Sequence, residues 1–334
     1  MLNELLTGRW NERVLIVGTG DLAKSVGRYL CKHGRSGFEV VGFIDEDPTR
    51  IGESIVNPKV IGTPDQISSL VQTLGVAKVI VALPERRGKL PVDDLLLCRI
   101  RGVEVVDGVS FYAGLTGKVP VEELRPAWLI FSKGFDRRKA TLWIKQVLDL
   151  CCATAGLLLA VPLFLMIPLL IKLDSRGPVF YRQTRVGAGN KPFGLLKFRS
   201  MVTDAEADSG PVWAQEEDPR VTRVGRWLRK LRLDEIPQTL NVLKGEMSFI
   251  GPRPERPEFI ARLQAEIPFY AIRHTIKPGI TGWAQVKYRY GATVEDTVEK
   301  LRYDLYYLKN MSLALDFKIL VETVKIVLLG QGAR

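Results

Sequence analysis

Val14-Leu-Ile-Val-Gly-Thr-Gly-Asp-Leu-Ala23 decides the character of the N-terminal region. Four apolar, mostly β-branched residues read as a buried strand, the glycine turn Gly18-Thr-Gly20 follows, and an apolar-periodic stretch to Leu30 reads as a helix. Strand, glycine turn and helix in that order make the G-x-G-x-x-A form of a dinucleotide fingerprint. Its glycines permit a tight turn and a close approach of backbone to phosphate.

Working outward, Glu39–Ile44 reads as a second strand ending at Asp45, 25 residues after Gly20 and about where a ribose-binding acid is expected. A helix from Pro64 to Leu74 precedes strand-like Lys78–Leu83; a helix around Asp93–Arg101 precedes strand-like Val103–Val106. Strands alternating with helices predict an open parallel sheet, a Rossmann-like α/β domain. Gly18, Gly20 and Asp45 are its candidate nucleotide site. No Tyr-x-x-x-Lys follows, which counts against hydride transfer in this domain.

The length of 334 residues suits about two domains. Residues 1–130 carry equal numbers of basic and acidic side chains, so the entire net charge of +11 falls in the remainder. Such an excess suits an anionic partner: nucleic acid, an anionic membrane or a phosphorylated substrate. No helix-turn-helix, RNA-recognition or zinc motif accompanies it, so a nucleic-acid partner is not expected. Four cysteines without a C-x-x-C, and only His33 and His274, exclude a Cys/His zinc site and suit a reducing compartment. The N-terminus has no long apolar run, so no secretory signal is expected.

Between Asp149 and Lys172 no residue is charged. Leu150–Ile171 would measure about 33 Å as a straight helix, enough to cross a bilayer. Pro162 falls in its middle, and basic residues flank both ends: Arg137, Arg138, Lys139 and Lys145 before, Lys172, Arg176, Arg182 and Arg185 after. Basic flanks favour the cytoplasmic side. A helix that enters, breaks at Pro162 and returns leaves both flanks inside, so a re-entrant helix over about 147–172 is preferred to a spanning one.

Beyond it, Arg223, Arg226 and Arg229 recur every three residues, on one helical face, and lead to Asp234-Glu235. Arginines bind phosphate oxygens bidentately. A carboxylate beside them can hold Mg2+ on a diphosphate or attack phosphorus, and the arginines are expected to keep it ionised. The structural alternative is that Asp234 N-caps a helix through Leu243. In Pro252-Arg253-Pro254 two prolines restrict the backbone and aim the guanidinium. Arg273-His274 precede Lys277-Pro-Gly-Ile-Thr-Gly-Trp-Ala-Gln-Val286, read as turns before a short strand; Val294–Leu329 is helical in period.

Lys145–Gly330 closely resembles the bacterial sugar transferases, the monotopic polyprenyl-phosphate phosphoglycosyl transferases. The resemblance rests on Gly177-Pro-Val-Phe, Lys197-Phe-Arg-Ser-Met201, Asp234-Glu-Ile-Pro-Gln-Thr-Leu-Asn-Val-Leu243, Met247-Ser-Phe-Ile-Gly-Pro-Arg-Pro254 and Lys277–Val286. Residues 11–136, with Gly117-Lys-Val-Pro and Trp128-Leu-Ile-Phe, resemble the Rossmann-like region that precedes the catalytic domain in exopolysaccharide-type members.

The resemblance implies transfer of a sugar 1-phosphate from a UDP-sugar to polyprenyl phosphate, through a phosphosugar-aspartate. Asp234 would be the nucleophile, with Glu235 its partner at Mg2+; Lys197, Arg199, Arg229 and Arg253 would surround the phosphates, with Arg273 and His274 as further substrate-binding candidates. Asp304 and Asp316 are the alternatives to Glu235. The family's Ser-Pro break appears here as Val161-Pro162. Larger members carry spanning helices before the Rossmann-like region; this sequence begins about a dozen residues before that region's first strand, as a compact member or one whose helices lie outside it.

The expected organisation is α/β: a Rossmann-like domain over 1–130, a linker over 131–145, and a membrane-associated, mainly α catalytic domain with short strands over 146–334. Membrane lipids are implied partners, and the first domain is a candidate homodimer contact. The expected location is the cytoplasmic face of the bacterial inner membrane. Two rival readings are an NAD-dependent nucleotide-sugar dehydratase or epimerase, and a non-catalytic membrane scaffold that senses nucleotide.

Overall fold

The computed structural model describes residues 11–33, 37–83, 90–135, 139–203, 205, 210, 218–288, 291 and 293–329. Arg137, Arg138 and most of the acidic stretch from Asp204 to Asp218 lie outside them. The chain divides into two compact units, 1–131 and 132–334.

In the first unit, strand β1 (Glu12–Val17) feeds helix α1 (Asp21–Lys32), then β2 (Phe38–Ile44), β3 (Val60–Gly62), α2 (Ile67–Leu74), β4 (Lys78–Val81), α3 (Val92–Ile100), β5 (Glu104–Asp107), α4 (Gly108–Thr116) and α5 (Pro126–Phe131). The five strands pair in parallel in the order β3-β2-β1-β4-β5. β1 is central, which is why its apolar run does not alternate: Val14 to Val17 are all at most 1% exposed. α1 buries one stripe, Leu22, Ala23, Val26, Gly27 and Leu30. Gly27 is required there, because a Cβ would run into the Phe43 ring.

The predicted parallel sheet is present, with differences at its margins. The helix read over 64–74 is a 3-10 turn, Pro64–Gln66, followed by α2. β3 and α4 were not anticipated. β3 is three residues long, too short to show a period, and α4 begins directly at the end of β5, where Asp107 caps it by accepting from the Ser110 N–H. The same carboxylate accepts from the Trp128 indole at 2.8 Å, tying α5 to the end of the sheet.

The second unit opens with α6 (Lys139–Leu159) and α7 (Val161–Asp174). Residues 139–145, expected as linker, are the first two turns of α6. Among the described residues α6 is the one helix long and apolar enough to cross a membrane. The break falls at Ala160 (φ −85°, ψ −3°), two residues before Pro162. The displacement is physical: a proline clashes with the carbonyl four residues earlier, so the preceding turn gives way while the proline itself suits the first turn of the next helix. Leu158, Leu159, Leu165, Leu169 and Leu173 are all more than 60% exposed.

The antiparallel hairpin β6 (Phe180–Val186) and β7 (Pro192–Phe198) follows, then α8 (Arg223–Lys230), α9 (Gln238–Leu243), β8 (Ser248–Ile250), α10 (Pro257–Glu266), β9 (Gly279–Thr281), α11 (Trp283–Lys287), α12 (Val294–Lys309) and α13 (Leu313–Leu328). The strand expected near Val286 is instead β9, paired in parallel with β8, while residues 283–287 are helical. The single helical run over 294–329 is two helices, the second capped by Ser312. Ile167 and Ile171 of α7 pack with Phe198 and Leu228, so the apolar helix shares a core with β7 and α8.

Ile16 in the central strand is fully buried, whereas Ile100 on α3 is 72% exposed. Ile16→Ala is expected to destabilise the first unit by about 2–5 kcal/mol, and Ile100→Ala by less than about 0.5 kcal/mol. Hydrogen exchange across β1 and β4 in denaturant titrations of the full chain measures both.

Candidate active site

The site is assembled from three segments of the chain. A 3-10 turn, Leu233–Glu235, carries the adjacent carboxyls, and Arg232 before it adopts a left-handed backbone (φ 54°) that turns the chain out of α8. β7 brings Lys197; the Pro252-Arg253-Pro254 segment after β8 brings Arg253. Asp234 and Glu235 are each less than 9% exposed. Asp234 does not cap the following helix: α9 starts at Gln238 behind Pro237, with no side-chain cap.

Cations converge on Glu235. Its Oε1 accepts from Lys197 Nζ at 2.9 Å and from Arg253 Nη2 at 3.0 Å, and its Oε2 lies 3.7 Å from Arg232 Nη1. Asp234 has one ion pair among the described residues, Oδ2 to Lys197 Nζ at 3.8 Å. Burial opposes ionisation of both. At Glu235 the cations Lys197, Arg253 and Arg232 overcome it and hold the carboxyl well below its ordinary value. At Asp234 burial prevails, reinforced by the charge on Glu235, and the carboxyl lies above its ordinary value despite Lys197, Arg229 and Arg253. The cations are thus shared unequally: Lys197, Arg253 and Arg232 hold Glu235, while at Asp234 the charges of Lys197, Arg229 and Arg253 favour the ionised form without offsetting its burial.

Supporting contacts hold these groups in register. Asn241, fully buried, accepts from the Leu196 N–H at 3.0 Å and donates to the Gly194 carbonyl at 2.8 Å, pinning β7 against α9. Gln285 Oε1 accepts from Arg253 Nη1 at 3.1 Å. Arg232, Asn241 and Gln285 were not among the expected site residues. Arg232 continues the three-residue spacing of the arginine row, and Asn241 and Gln285 lie in the quoted motifs, but nothing in one sequence separates a residue that orients from one that merely packs.

The expected residues fall into two groups. Lys197, Asp234, Glu235 and Arg253 meet. Arg229 stands at the margin, donating Nε to Ser200 Oγ at 3.1 Å while its charge favours the ionised form of Asp234. Arg199 does not reach the carboxyls; it binds the carbonyls of Ser175 and Arg176. Arg273 is buried behind the site, donating to Asp304 at 2.9 Å, to the Tyr270 hydroxyl at 2.7 Å and to the Arg253 carbonyl at 2.9 Å. Asp304 thus serves Arg273, and Asp316 pairs with Lys145 at 2.7 Å and accepts from the Tyr307 hydroxyl. His274 Nδ1 lies 2.8 Å from Asn190 Oδ1 at the tip of the β6–β7 hairpin, away from the carboxyls.

In the first unit Gly18 takes a positive φ (+112°) at the end of β1, where a Cβ would crowd the Ala82 carbonyl. Gly20 precedes α1. Asp45, at the end of β2, accepts from the Thr19 hydroxyl and from Arg50 Nη1 at 2.6 Å. The glycine turn and the acid therefore meet, with Arg50 donating to both Thr19 and Asp45.

Among the described residues no group of three His, Cys, Asp or Glu side chains could cage a metal. Residues 140–330 match the bacterial sugar transferase family and residues 3–93 match a CoA-binding domain family. The chain belongs to the bacterial sugar transferase family.

It is 44% identical over 240 residues to the UDP-N-acetylgalactosamine-undecaprenyl-phosphate N-acetylgalactosaminephosphotransferase of Aeromonas hydrophila, covering 72% of this chain and 56% of that protein. It is 35% identical to the undecaprenyl-phosphate glucose phosphotransferase of Komagataeibacter xylinus, covering 98% of this chain and 61% of that one. The UDP-glucose:undecaprenyl-phosphate glucose-1-phosphate transferase of Xanthomonas campestris pv. campestris is 34% identical, with 99% and 69% covered. The chain thus spans between 56% and 69% of the length of these relatives.

Burial, with the nearby charge of Arg273, pushes His274 down to about 4 from an ordinary 6.5. The unfolded histidine takes up a proton before the folded one does, so the stability tied to His274 is full above pH 6.5 and is lost as pH falls toward 4. The melting temperature of His274→Gln is expected to fall less steeply than that of the wild type over this interval, as read by scanning fluorimetry.

Proposed function

We propose that the chain transfers a sugar 1-phosphate from a UDP-sugar to undecaprenyl phosphate, the initiating step of exopolysaccharide or envelope glycan assembly, with Asp234 as the nucleophile. One observation carries the reading: of two adjacent buried carboxyls, Glu235 is held by Lys197, Arg253 and Arg232, while among the described residues Asp234 is paired only with Lys197, at 3.8 Å. The names of the relatives, which specify undecaprenyl phosphate and in two cases a UDP-sugar, support the substrates.

In the first step an Asp234 carboxylate oxygen attacks the sugar-bearing phosphorus. The bond from that phosphorus to the bridging oxygen breaks, and UMP leaves with the electron pair. In the second step an oxygen of undecaprenyl phosphate attacks the same phosphorus, the bond to Asp234 breaks, and the carboxylate returns. Lys197 and Arg253 offset the charge that gathers on the phosphoryl oxygens. Glu235 keeps both cations in place before substrate arrives, so their orientation costs nothing during the reaction.

The residues present fit Mg2+ in its usual mode, one or two carboxylates with the remaining oxygens supplied by substrate phosphates and water. Asp234 and Glu235 would hold it, and when bound it would neutralise the diphosphate.

The proposed setting is the cytoplasmic face of the inner membrane, with α6 and α7 forming a re-entrant pair. The break at Ala160 and the basic residues at both outer ends, Lys139 and Lys145 before, Lys172 and Arg176 after, support it. A nucleotide-binding or regulatory role is proposed for the first unit, supported by its glycine turn beside Asp45 and by the CoA-binding domain match.

Purified full chain with Mg2+, undecaprenyl phosphate and a panel of UDP-sugars is expected to release UMP. Asp234→Asn should lower turnover by at least about 10³-fold, as expected for loss of a nucleophile. Release of UDP instead would mean glycosyl transfer without phosphate and would sink the mechanism. For topology, single cysteines placed at Lys139 and Lys172, both exposed, in a cysteine-free chain should both resist an impermeant thiol reagent added to intact spheroplasts. Labelling at one end alone would mean that the segment spans.

A further inference from the structure

The Lys197-Phe-Arg-Ser motif holds two cationic side chains with different destinations. Lys197 goes to the carboxyls, while Arg199, only 5% exposed, closes the end of the apolar helix α7. Arg199 Nη2 donates to the Ser175 carbonyl at 2.7 Å and to its hydroxyl at 2.8 Å, and Nη1 donates to the Arg176 carbonyl at 2.9 Å. Ser175 is the C-cap of α7, so the guanidinium satisfies carbonyls that the helix end leaves open.

The glycine of Gly177-Pro-Val-Phe belongs to the same joint. It has φ +123°, and a Cβ there would collide with Arg199 Nη1. Asp174, the last residue of α7, accepts from the Val224 N–H at 3.0 Å at the start of α8. Ser200, next to Arg199, accepts from the Thr222 N–H through its carbonyl and from Arg229 through its hydroxyl, both at 3.1 Å. Gly225 lets α8 approach, since a Cβ there would strike the Ser200 carbonyl. The exit of the apolar helix is thus tied to the strand that carries Lys197 through the Arg199 guanidinium, and to the arginine-bearing helix through Asp174 and Ser200 on either side of it.

The two substrates depend differently on this joint. A nucleotide sugar reaches the carboxyls from water. A polyprenyl phosphate is held by the membrane, so its phosphate meets the site only if the membrane helix sits at a set height and angle to Lys197 and Asp234. We propose that Arg199 is a positioning residue for the lipid half of the reaction: it aligns the membrane helix with the catalytic loop, and it is needed to unload the phosphosugar onto lipid but not to load it from the nucleotide. This inference rests on the two-step reading above.

The test uses the full chain in nanodiscs, with a UDP-sugar that the wild type turns over, and the variants Arg199→Lys and Arg199→Gln. Loading is read without acceptor, as the UMP burst and as the mass of the phosphosugar-protein adduct. Unloading is read as turnover with undecaprenyl phosphate. The burst is expected to stay within about twofold of wild type while turnover falls by about tenfold or more in Arg199→Gln and less in Arg199→Lys, the scale of a small misplacement of reacting groups. A short, water-soluble polyprenyl phosphate, free of the membrane plane, should recover part of the lost turnover. Loading and turnover that fall together, or turnover that does not fall, would overturn the proposal. A wild type that releases UMP only with acceptor and forms no adduct would remove the two-step reading beneath it.

Discussion

One buried glutamate organises the catalytic unit. Glu235 draws Lys197, Arg253 and Arg232 from three segments to a single carboxylate, and ion pairing there outweighs the cost of its burial. Without that anion the three cations would repel one another at close quarters, and the loops that bear them would have no common point. The neighbouring aspartate is left less paired than its partner, a feature that suits covalent chemistry.

The remaining cations divide by what they find when desolvated. An arginine has five donors and cannot shed its charge, so a buried one needs several acceptors. Arg273 is held by Asp304, Tyr270 and the Arg253 carbonyl, and so becomes a brace behind the Pro-Arg-Pro segment. Arg199 finds the open carbonyls of a helix end. Arg253, about a third exposed, keeps one edge toward the dyad. Equal charges in sequence become a ligand, a brace and a cap.

Close approach is the second recurring device. Gly177 makes room for a guanidinium and Gly225 for a backbone carbonyl, while in the other unit Gly27 makes room for the Phe43 ring. In each case the missing Cβ is used for contact, and at Gly177 the positive φ adds a second reason for glycine.

The sequence by itself determined the parallel sheet of the first unit, because continuous β-branched runs such as Val14–Val17 carry their own signal of two-sided burial. It also placed the apolar segment and its break near Pro162, since those depend on local composition and on a proline's fixed geometry. The tertiary structure alone decided which carboxyl takes the cations, that Arg199 and Arg273 serve backbone and scaffold, that His274 anchors a hairpin tip, and that β3 and β9 exist as strands. Those outcomes depend on which groups, tens of residues apart in the chain, share one desolvated space. A charge or a three-residue strand has no periodicity from which its partner can be read.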